Sequence, residues 1–362
     1  MHTDAFLTRG AGGPFYRLTN AEGKEWLIPV RHMRVALNLY QPSGRNGKLL
    51  KALFPWLHRM PLVRRIVGAR MELCTLNGGL KDLLSQLFHE QELEFSVFYG
   101  TPCVHQKITV QVSHGRRILG YFKLSDSQEI GSLFQHEAHV LDVLHHSGMA
   151  DIPACLYNGR LEDTTHVFVQ DTVKTQKSRV VHHWTPIHDA FVDALCWNTR
   201  QTIRFEDSNY YQTLTGLKEH IDWLPKEVDA ALVVAAVDET ITKWKGREVD
   251  FSAYHGDFTP WNMFVESGRL FVFDWEYARL SYPPMLDRYH FFTQTAIFER
   301  HWTAKEVIDC MQTNACNWVD VECYKLYLID VISRFTIRER GNASAMAHSI
   351  KIWGDILEYL CK

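Results

Sequence analysis

Short runs of apolar residues, several of them alternating with polar residues, recur through the first half of the chain. Runs of this kind, rich in β-branched and aromatic residues, are typical of strands. They lie at residues 25–30, 35–40, 95–99, 108–112, 117–124, 153–157 and 166–172. From residue 94 the pattern becomes that of a small strand-rich lobe, with short turns between its strands.

The second half of the chain shows a helical pattern instead. Apolar residues recur near helical spacing at residues 132–144, and again across most of residues 186–245. The last helix of that stretch is predicted to end at Gly246, since glycine commonly follows the final helical residue. Further helices are predicted at residues 307–314 and 324–338. A strand-rich part followed by a helical part predicts an α+β fold.

The composition is that of one large domain with an extension. The chain has 362 residues, of which 46% are hydrophobic, and this is enough for a packed core. Its net charge of −3 argues against a general nucleic-acid-binding protein, which is usually strongly basic. We therefore expect no nucleic-acid partner.

The eight cysteines are scattered, and no two have the Cys-x-x-Cys spacing of zinc ribbons and redox enzymes. Free thiols fit a reducing compartment, so we expect a cytoplasmic protein. The N-terminus lacks the apolar run of a signal peptide. No stretch reaches the ~20 apolar residues of a membrane-spanning helix.

The segment from His255 to Asn262 carries the most informative pattern in the chain. Asp257 follows His255 by two residues, Asn262 follows after five more, and a short apolar run then ends at Asp274. Phosphoryl transfer needs a carboxylate that orients an attacking hydroxyl, together with oxygen ligands for magnesium. Asp257 suits the first task, and Asn262 and Asp274 suit the second. The alternative is a surface turn, because Gly, Asp, Asn and Pro all favour turns.

In these residues, the sequence resembles the aminoglycoside phosphotransferase and choline kinase group, whose members are distant relatives of the protein kinases. The resemblance rests on the His-Gly-Asp-x-x-x-x-Asn segment and on the run from Asp274 to Ala278, which is similar to a choline kinase run. It covers residues 94–340 and is strongest at 254–290. It implies a bilobal protein-kinase-like fold, with a small antiparallel-sheet N-lobe and a mainly helical C-lobe.

The same resemblance implies roles for individual residues. It makes Asp257 the catalytic residue and makes Asn262 and Asp274 the Mg²⁺ ligands. Lys123, at the end of a predicted strand, then matches the lysine that holds the phosphates of ATP, and Glu137 on the next helix matches its ion-pair partner. The alternative is an exposed lysine and a solvated glutamate, which is the usual situation of both residue types.

Four more residues are expected near the nucleotide. The turn after the strand at residues 95–99 lies where kinases cover the phosphates with backbone amides, although its single glycine also fits an ordinary hairpin. The adenine is expected to bind the backbone of the hinge that follows the strand at residues 166–172. These expected nucleotide contacts are Gly100, Thr101, Val169 and Asp171.

The resemblance divides the chain into an extension at residues 1–90, an N-lobe with hinge at 91–172 and a C-lobe at 173–362. Within the extension, residues 48–70 combine basic and apolar side chains. One interpretation is attachment to a membrane surface, and the other is a helix packed on the core with its basic residues in water. Pro55 and Pro61 interrupt a long helix and favour packing.

The function expected from these features is that of an ATP-dependent kinase that phosphorylates an alcohol. A sugar or glycan hydroxyl is favoured as the acceptor, because the chain has no broad acidic cluster that would bind a cationic acceptor. A choline, amino-alcohol or aminoglycoside kinase is the first alternative. A catalytically inactive pseudokinase-like binding module is the second, and the joint presence of Lys123, Asp257, Asn262 and Asp274 argues against it. A protein kinase is disfavoured because the Asp-Phe-Gly and Ala-Pro-Glu runs are missing.

Overall fold

A computed structural model describes residues 6–20, 22–42, 44–100, 106–161, 164–313, 316–339 and 346–362. The chain divides into two compact units. The first contains Met1–Asp142 and Ile152–Arg179, and the second contains Val143–Asp151 and Val180–Lys362.

The described part of the first unit is built on an eight-stranded antiparallel sheet with the order β3-β1-β2-β4-β5-β6-β8-β7. Its strands are β1 (Leu7–Thr19), β2 (Glu25–Pro29), β3 (Arg70–Leu76), β4 (Glu94–Phe98), β5 (Ile108–His114), β6 (Arg117–Ser125), β7 (Cys155–Leu161) and β8 (Thr165–Asp171). The helices are α1 (Met33–Ala36), α2 (Arg45–Leu57), α3 (Pro61–Ile66), α4 (Gly78–Phe88) and α5 (Gln128–His146), the last of which continues into the second unit.

The N-terminal ninety residues continue this sheet instead of forming a body of their own. Strand β2 pairs with β4, with Trp26 opposite Phe98 and Leu27 opposite Val97. One apolar cluster contains Leu27 together with Val97 and residues of β5, β6 and β8. Backbone pairing and a shared core therefore join the residues before and after residue 90. The division of the chain expected from sequence stays a prediction.

The strand expected at residues 35–40 is wrong. The chain forms α1 at Met33–Ala36 and then a turn, after His32 adopts a left-handed backbone conformation with φ of 48°. Met33, Ala36 and Leu37 are all buried in one apolar cluster. Their spacing of three and four residues fits one face of a helical turn, which explains why this apolar run is not a strand.

The second unit is mainly helical. Its helices are α6 (Pro186–Asn198), α7 (Asn209–Glu219), α8 (Ala230–Trp244), α9 (Leu286–Gln294), α10 (Ala304–Met311), α11 (Val321–Arg338) and α12 (Ala347–Cys361). Its strands are β9 (Gln201–Arg204), β10 (Glu248–Tyr254), β11 (Met263–Glu266), β12 (Arg269–Val272) and β13 (Arg279–Tyr282). Strand β10 lies between β13 and β9, and β11 and β12 form a hairpin. The main apolar core packs α7, α8, α11 and α12 together beside this small sheet.

Two expectations from composition can be compared with this structure. Cys310 and Cys316 form a disulfide, so the expectation that all thiols are free is wrong for this pair. No sequence pattern indicates this pair, because its six-residue separation matches no motif. Within the described residues, none of the helices has both the length and the apolar content needed to span a membrane.

Candidate active site

The loop that follows β10 has a backbone conformation that only glycine accommodates. Gly256 adopts φ of 80°, and a Cβ atom there would lie 2.6 Å from the carbonyl oxygen of Tyr277. A side chain at this position would therefore collide with backbone, in a conformation that L-residues rarely adopt. The glycine lets the chain reverse between His255 and Asp257.

Two buried side chains, Asp287 and Arg334, form hydrogen bonds with the backbone of this loop. The Asp287 carboxylate, near the start of α9, accepts hydrogen bonds from the backbone N–H groups of His255 (3.0 Å) and Gly256 (3.3 Å). The guanidinium of Arg334 on α11 donates to the carbonyl oxygen of Gly256. Asp287 thus fixes the backbone of the loop. Burial raises its pKa to about 7, although the two backbone donors and Arg334 act in the opposite direction.

Arg334 is itself fixed by a buried acid that sequence reasoning did not identify. Asp330, one helical turn earlier on α11, lies 3.3 Å from Arg334 and accepts hydrogen bonds from the hydroxyls of Tyr254 (3.0 Å) and Tyr282 (3.1 Å). Although burial alone would lower it, the charge of Asp330 raises the pKa of Arg334. The two tyrosines lie on β10 and β13, so this group connects the sheet, the helix and the loop.

Asp257 presents a carboxylate that is held at both oxygens and still reaches solvent. Its Oδ1 lies 3.2 Å from Nε2 of His290, and its Oδ2 accepts a 2.8 Å hydrogen bond from the Asn262 amide. The side chain remains 32% exposed. Burial opposes ionisation, but the hydrogen bond from His290 and the charge of Arg334 hold the pKa of Asp257 below its ordinary value. The carboxylate is therefore ionised at neutral pH.

His290 is the partner of Asp257 that the sequence did not reveal. It lies on α9, three residues after Asp287, and is almost fully buried. Burial lowers the pKa of His290, so the ring is neutral near pH 7. Because an ionised carboxylate only accepts, Nε2 must carry the proton. Among the described residues, Nδ1 has no hydrogen-bond partner, which fits a neutral ring, since a buried imidazolium would leave a charged N–H unpaired.

His255 has a structural role. Its Nδ1 accepts from the backbone N–H of Asp257 at 3.1 Å, and its Nε2 donates to the carbonyl oxygen of Phe273 at 3.1 Å. The ring is fully buried against Trp275, and this burial lowers its pKa to about 4. A neutral ring with both nitrogens in use does not serve as a base.

The β11–β12 hairpin brings Asn262 and Asp274 to the same end of two paired strands. Met263 is opposite Val272, and the backbone N–H of Phe273 donates to the carbonyl oxygen of Asn262 at 3.0 Å. Asp274 follows directly, with a left-handed φ of 70° that Asp tolerates better than most residues. The amide nitrogen of Asn262 donates to both the backbone oxygen and the carboxylate of Asp257, so its amide oxygen points away from them.

Glu276 adds a further carboxylate next to Asp274. Oxygen atoms of the two side chains come within 4.8 Å of each other. The amide oxygen of Asn262 and these carboxylates are hard donors of the kind that Mg²⁺ prefers, so the residues present fit that ion. Of the neighbouring aromatic residues, Phe258 and Trp275 are fully buried core residues, whereas Trp261 is exposed.

In the first unit, Lys123 and Glu137 form a buried ion pair. Nζ of Lys123 on β6 lies 2.9 Å and 2.7 Å from the two carboxylate oxygens of Glu137 on α5, and both side chains are almost fully buried. Nζ also lies 5.4 Å from the centre of the Phe168 ring. The predicted pairing is therefore present, and the exposed alternative is wrong. The function of the pair remains a prediction.

The other residues expected at the nucleotide have more varied positions. Gly100 follows β4 with φ of 80°, and a Cβ there would collide with the carbonyl oxygen of Lys107, so the turn requires glycine. Thr101 lies outside the described residues. Val169 is buried within β8, and Asp171 ends that strand, where its carboxylate accepts from the backbone N–H of Ala154 at 2.7 Å.

Comparison with known proteins identifies the fold. No family model and no curated protein matches the sequence. Among solved structures, aminoglycoside phosphotransferase APH(4)-Ia in a ternary complex with AMP-PNP and hygromycin B superimposes with a TM-score of 0.52 at 14% identity, over 78% of this chain and 99% of that one. Choline kinase LicA from Streptococcus pneumoniae is a weaker match, with a TM-score of 0.47 at 14% identity over 78% and 97% of the two chains. The α+β kinase-like fold expected from sequence is thereby confirmed.

The contact between His290 and Asp257 makes a prediction about pH dependence. In His290→Leu, burial still disfavours the charged carboxylate while the donor is lost, so the pKa of Asp257 rises. A hydrogen bond to a charged group contributes about 1.5–3 kcal/mol, which corresponds to about one to two pH units. For any turnover that uses Asp257, we expect the acid limb of the rate to move upward by about that amount. The measurement must run from about pH 2 to pH 7, because the pKa of Asp257 in the unmodified protein lies below its ordinary value. His290→Gln, which retains an N–H donor, should move it less. Superimposable acid limbs in all three proteins would show that the contact does not control ionisation.

Proposed function

We propose that this protein is an ATP-dependent kinase that transfers the γ-phosphoryl group to an alcohol hydroxyl, with a sugar or glycan as the acceptor. The observation that carries the proposal is the state of Asp257. Its carboxylate is ionised, fixed at both oxygens and still open to solvent. A purely structural aspartate with two buried partners would not need to reach solvent. A carboxylate that orients an incoming hydroxyl does need it.

Asp257 acts mainly by position in this proposal. Phosphoryl transfer passes through a loose transition state, so the carboxylate orients the hydroxyl and accepts its proton late. A low pKa is therefore acceptable for this residue. His290 and Asn262 prevent the carboxylate from rotating, which keeps its accepting oxygen in one direction and lowers the cost of reaching the reactive geometry.

Asn262 and Asp274 would hold magnesium, and Glu276 is close enough to Asp274 to contribute. Mg²⁺ neutralises charge on the transferring phosphates when it is bound. The hydrogen bonds from the Asn262 amide nitrogen to Asp257 fix the direction of its amide oxygen, so the same side chain would orient both the base and one metal ligand. This shared use explains why an asparagine, with a donor and an acceptor, fits this position.

Nucleotide binding is assigned to the first unit. Lys123, held by Glu137, would pair with the α- and β-phosphates of ATP, as the corresponding lysine does in kinases. Gly100 and Thr101 would cover the phosphates, and the backbone from Val169 to Asp171 would bind adenine. The buried ion pair supports this assignment, because a lysine that is almost fully buried needs a specific partner and is rarely retained without a function.

The acceptor is proposed to be neutral or anionic. A cavity of 190 Å³ in the second unit is lined by Trp184, Trp318, Phe291, Arg288, Arg300 and His183, among others. Trp184 packs against Phe258, the residue after Asp257, with ring centres 5.9 Å apart. No aspartate or glutamate lines this cavity in the described part of the chain. Aromatic rings suit the apolar faces of a sugar, and the two arginines disfavour the cationic acceptors choline and aminoglycosides.

The base assignment is tested by Asp257→Asn. We expect turnover to fall at least about a hundredfold, because the amide cannot accept the proton and orients the hydroxyl poorly. Nucleotide affinity should stay within about threefold, since the carboxylate is assigned to the acceptor. Transfer from labelled ATP would be measured over a panel of sugars, lipid-linked glycans and amino alcohols, with the exposed Asp222→Asn as the matched control. Turnover within tenfold of the unmodified protein at saturating ATP would refute the assignment.

The metal assignment is tested by Asp274→Ala, which removes one hard ligand. We expect the magnesium concentration that half-saturates ATP binding to rise by about tenfold or more, because affinity for the ion depends on the number of charged oxygen ligands. Fluorescence titration of nucleotide binding at a series of magnesium concentrations measures this directly. Asp222→Asn should leave the curve in place. An unchanged magnesium dependence in Asp274→Ala would contradict the joint role of Asn262 and Asp274.

A further inference from the structure

Helices α2 and α3, with the turn between them, expose several large apolar side chains. Six residues of this segment, which we call the α2–α3 face, are exposed: Leu49, Leu53, Trp56, Met60, Leu62 and Ile66. Trp56 is 67% exposed and Ile66 is 74% exposed. Single exposed apolar residues are normal on a protein surface, but a group of six within eighteen residues marks an interaction site.

The α2–α3 face is separate from the side of these helices that packs on the core. Phe54 is fully buried, and Leu50, Val63 and Val67 pack around it in the cluster formed with β1, β2 and α1. The outward residues of α2 and its following turn occur at positions 49, 53, 56 and 60, a spacing of four, three and four that defines one face of a helix. The core contacts of these helices therefore do not cover the α2–α3 face.

Pro55 does not interrupt this face. It lies inside α2, near its C-terminal end, and the helix continues to Leu57. Pro61 begins α3, where a proline is well tolerated. On sequence alone, these prolines favour packing on the core over attachment to a membrane surface. The structure shows that they allow two consecutive helices, each with an outward apolar side.

Every charged residue in the sequence segment that contains the α2–α3 face is basic. From residue 26 to residue 71 the sequence contains nine arginines or lysines and neither aspartate nor glutamate, although the whole chain has a net charge of −3. Lys48, Arg59 and Arg65 are exposed within the segment itself. The guanidinium of Arg34 lies 3.9 Å from the centre of the Trp56 ring. Apolar side chains on a helical surface flanked by cations are the composition of segments that bind at a membrane interface.

We propose that the α2–α3 face binds the surface of an anionic lipid bilayer, with its apolar side chains in the headgroup region and its cations against the lipid phosphates. Charge complementarity favours this occupant over a second copy of the chain. A two-fold dimer through this face would place the same cationic surface against itself, and no acid in the segment could compensate. The proposal does not depend on the kinase assignment, since it concerns binding and not turnover.

The test is co-sedimentation of the full chain with vesicles at physiological salt. The vesicles contain phosphatidylcholine alone, or phosphatidylcholine mixed with phosphatidylglycerol in a ratio of about two to one. We expect binding to the mixed vesicles and at least about tenfold weaker partitioning to the neutral ones. Leu53→Gln combined with Trp56→Gln should reduce partitioning to mixed vesicles by about tenfold or more. The triple variant Lys48→Gln, Arg59→Gln and Arg65→Gln should do the same, because each cation near an anionic surface contributes.

Two matched controls separate this face from general effects. Trp197→Gln removes a tryptophan of the second unit that is at least as exposed as Trp56, and Lys226→Gln, Lys245→Gln and Arg247→Gln together remove three exposed cations there. Both controls should bind vesicles as the unmodified protein does. All substituted side chains are exposed, so thermal unfolding should be unchanged and loss of folding would be visible separately.

Three outcomes would overturn the proposal. The first is absence of binding to mixed vesicles by the unmodified chain. The second is equal loss of binding in the control variants. The third is a dimer, detected by light scattering without lipid, that the Trp56→Gln substitution dissociates, because this result would assign the face to self-association.

Discussion

The candidate site depends on keeping one carboxylate ionised and fixed while leaving it open to solvent. Asp257 meets this requirement because a neutral histidine and an asparagine amide each donate to one of its oxygens. Burial of the loop would by itself favour the protonated acid, so the donors decide the outcome. The chemistry proposed for this protein follows from that balance.

The position of Asp257 depends in turn on buried charges behind the loop. Asp287 holds the backbone of the loop, and Arg334 holds the carbonyl oxygen of Gly256 while being paired with Asp330. Removing one partner of a buried pair leaves an uncompensated charge and typically costs about 3–5 kcal/mol. Such a group contributes little net stability but strongly disfavours other arrangements of the same loop. This favours a role in specifying the loop geometry.

The sequence was informative where function fixes the spacing of residues along one short segment. Three features could be predicted in this way: the spacing from Asp257 to Asn262, the strand that precedes Asp274, and the position of Lys123 before a helix. Together they predicted the kinase-like fold. His290 could not be predicted from the sequence, because the packing of α9 brings it to Asp257 and no local motif marks a histidine in this helix. The outward apolar side of α2 was equally hidden, since periodicity shows that a helix has apolar faces but not which of them the core covers.

The most direct test of this account is the protonation state of His290, observed by nitrogen NMR of the labelled imidazole rings between pH 5.5 and pH 8, with His290→Gln used to assign the signal. The account predicts a neutral ring with the proton on Nε2 and an unprotonated Nδ1 across the range near neutral pH, because burial lowers its pKa while Asp257 accepts from Nε2. An imidazolium with both nitrogens protonated at pH 7, or a ring protonated on Nδ1 alone, would contradict it.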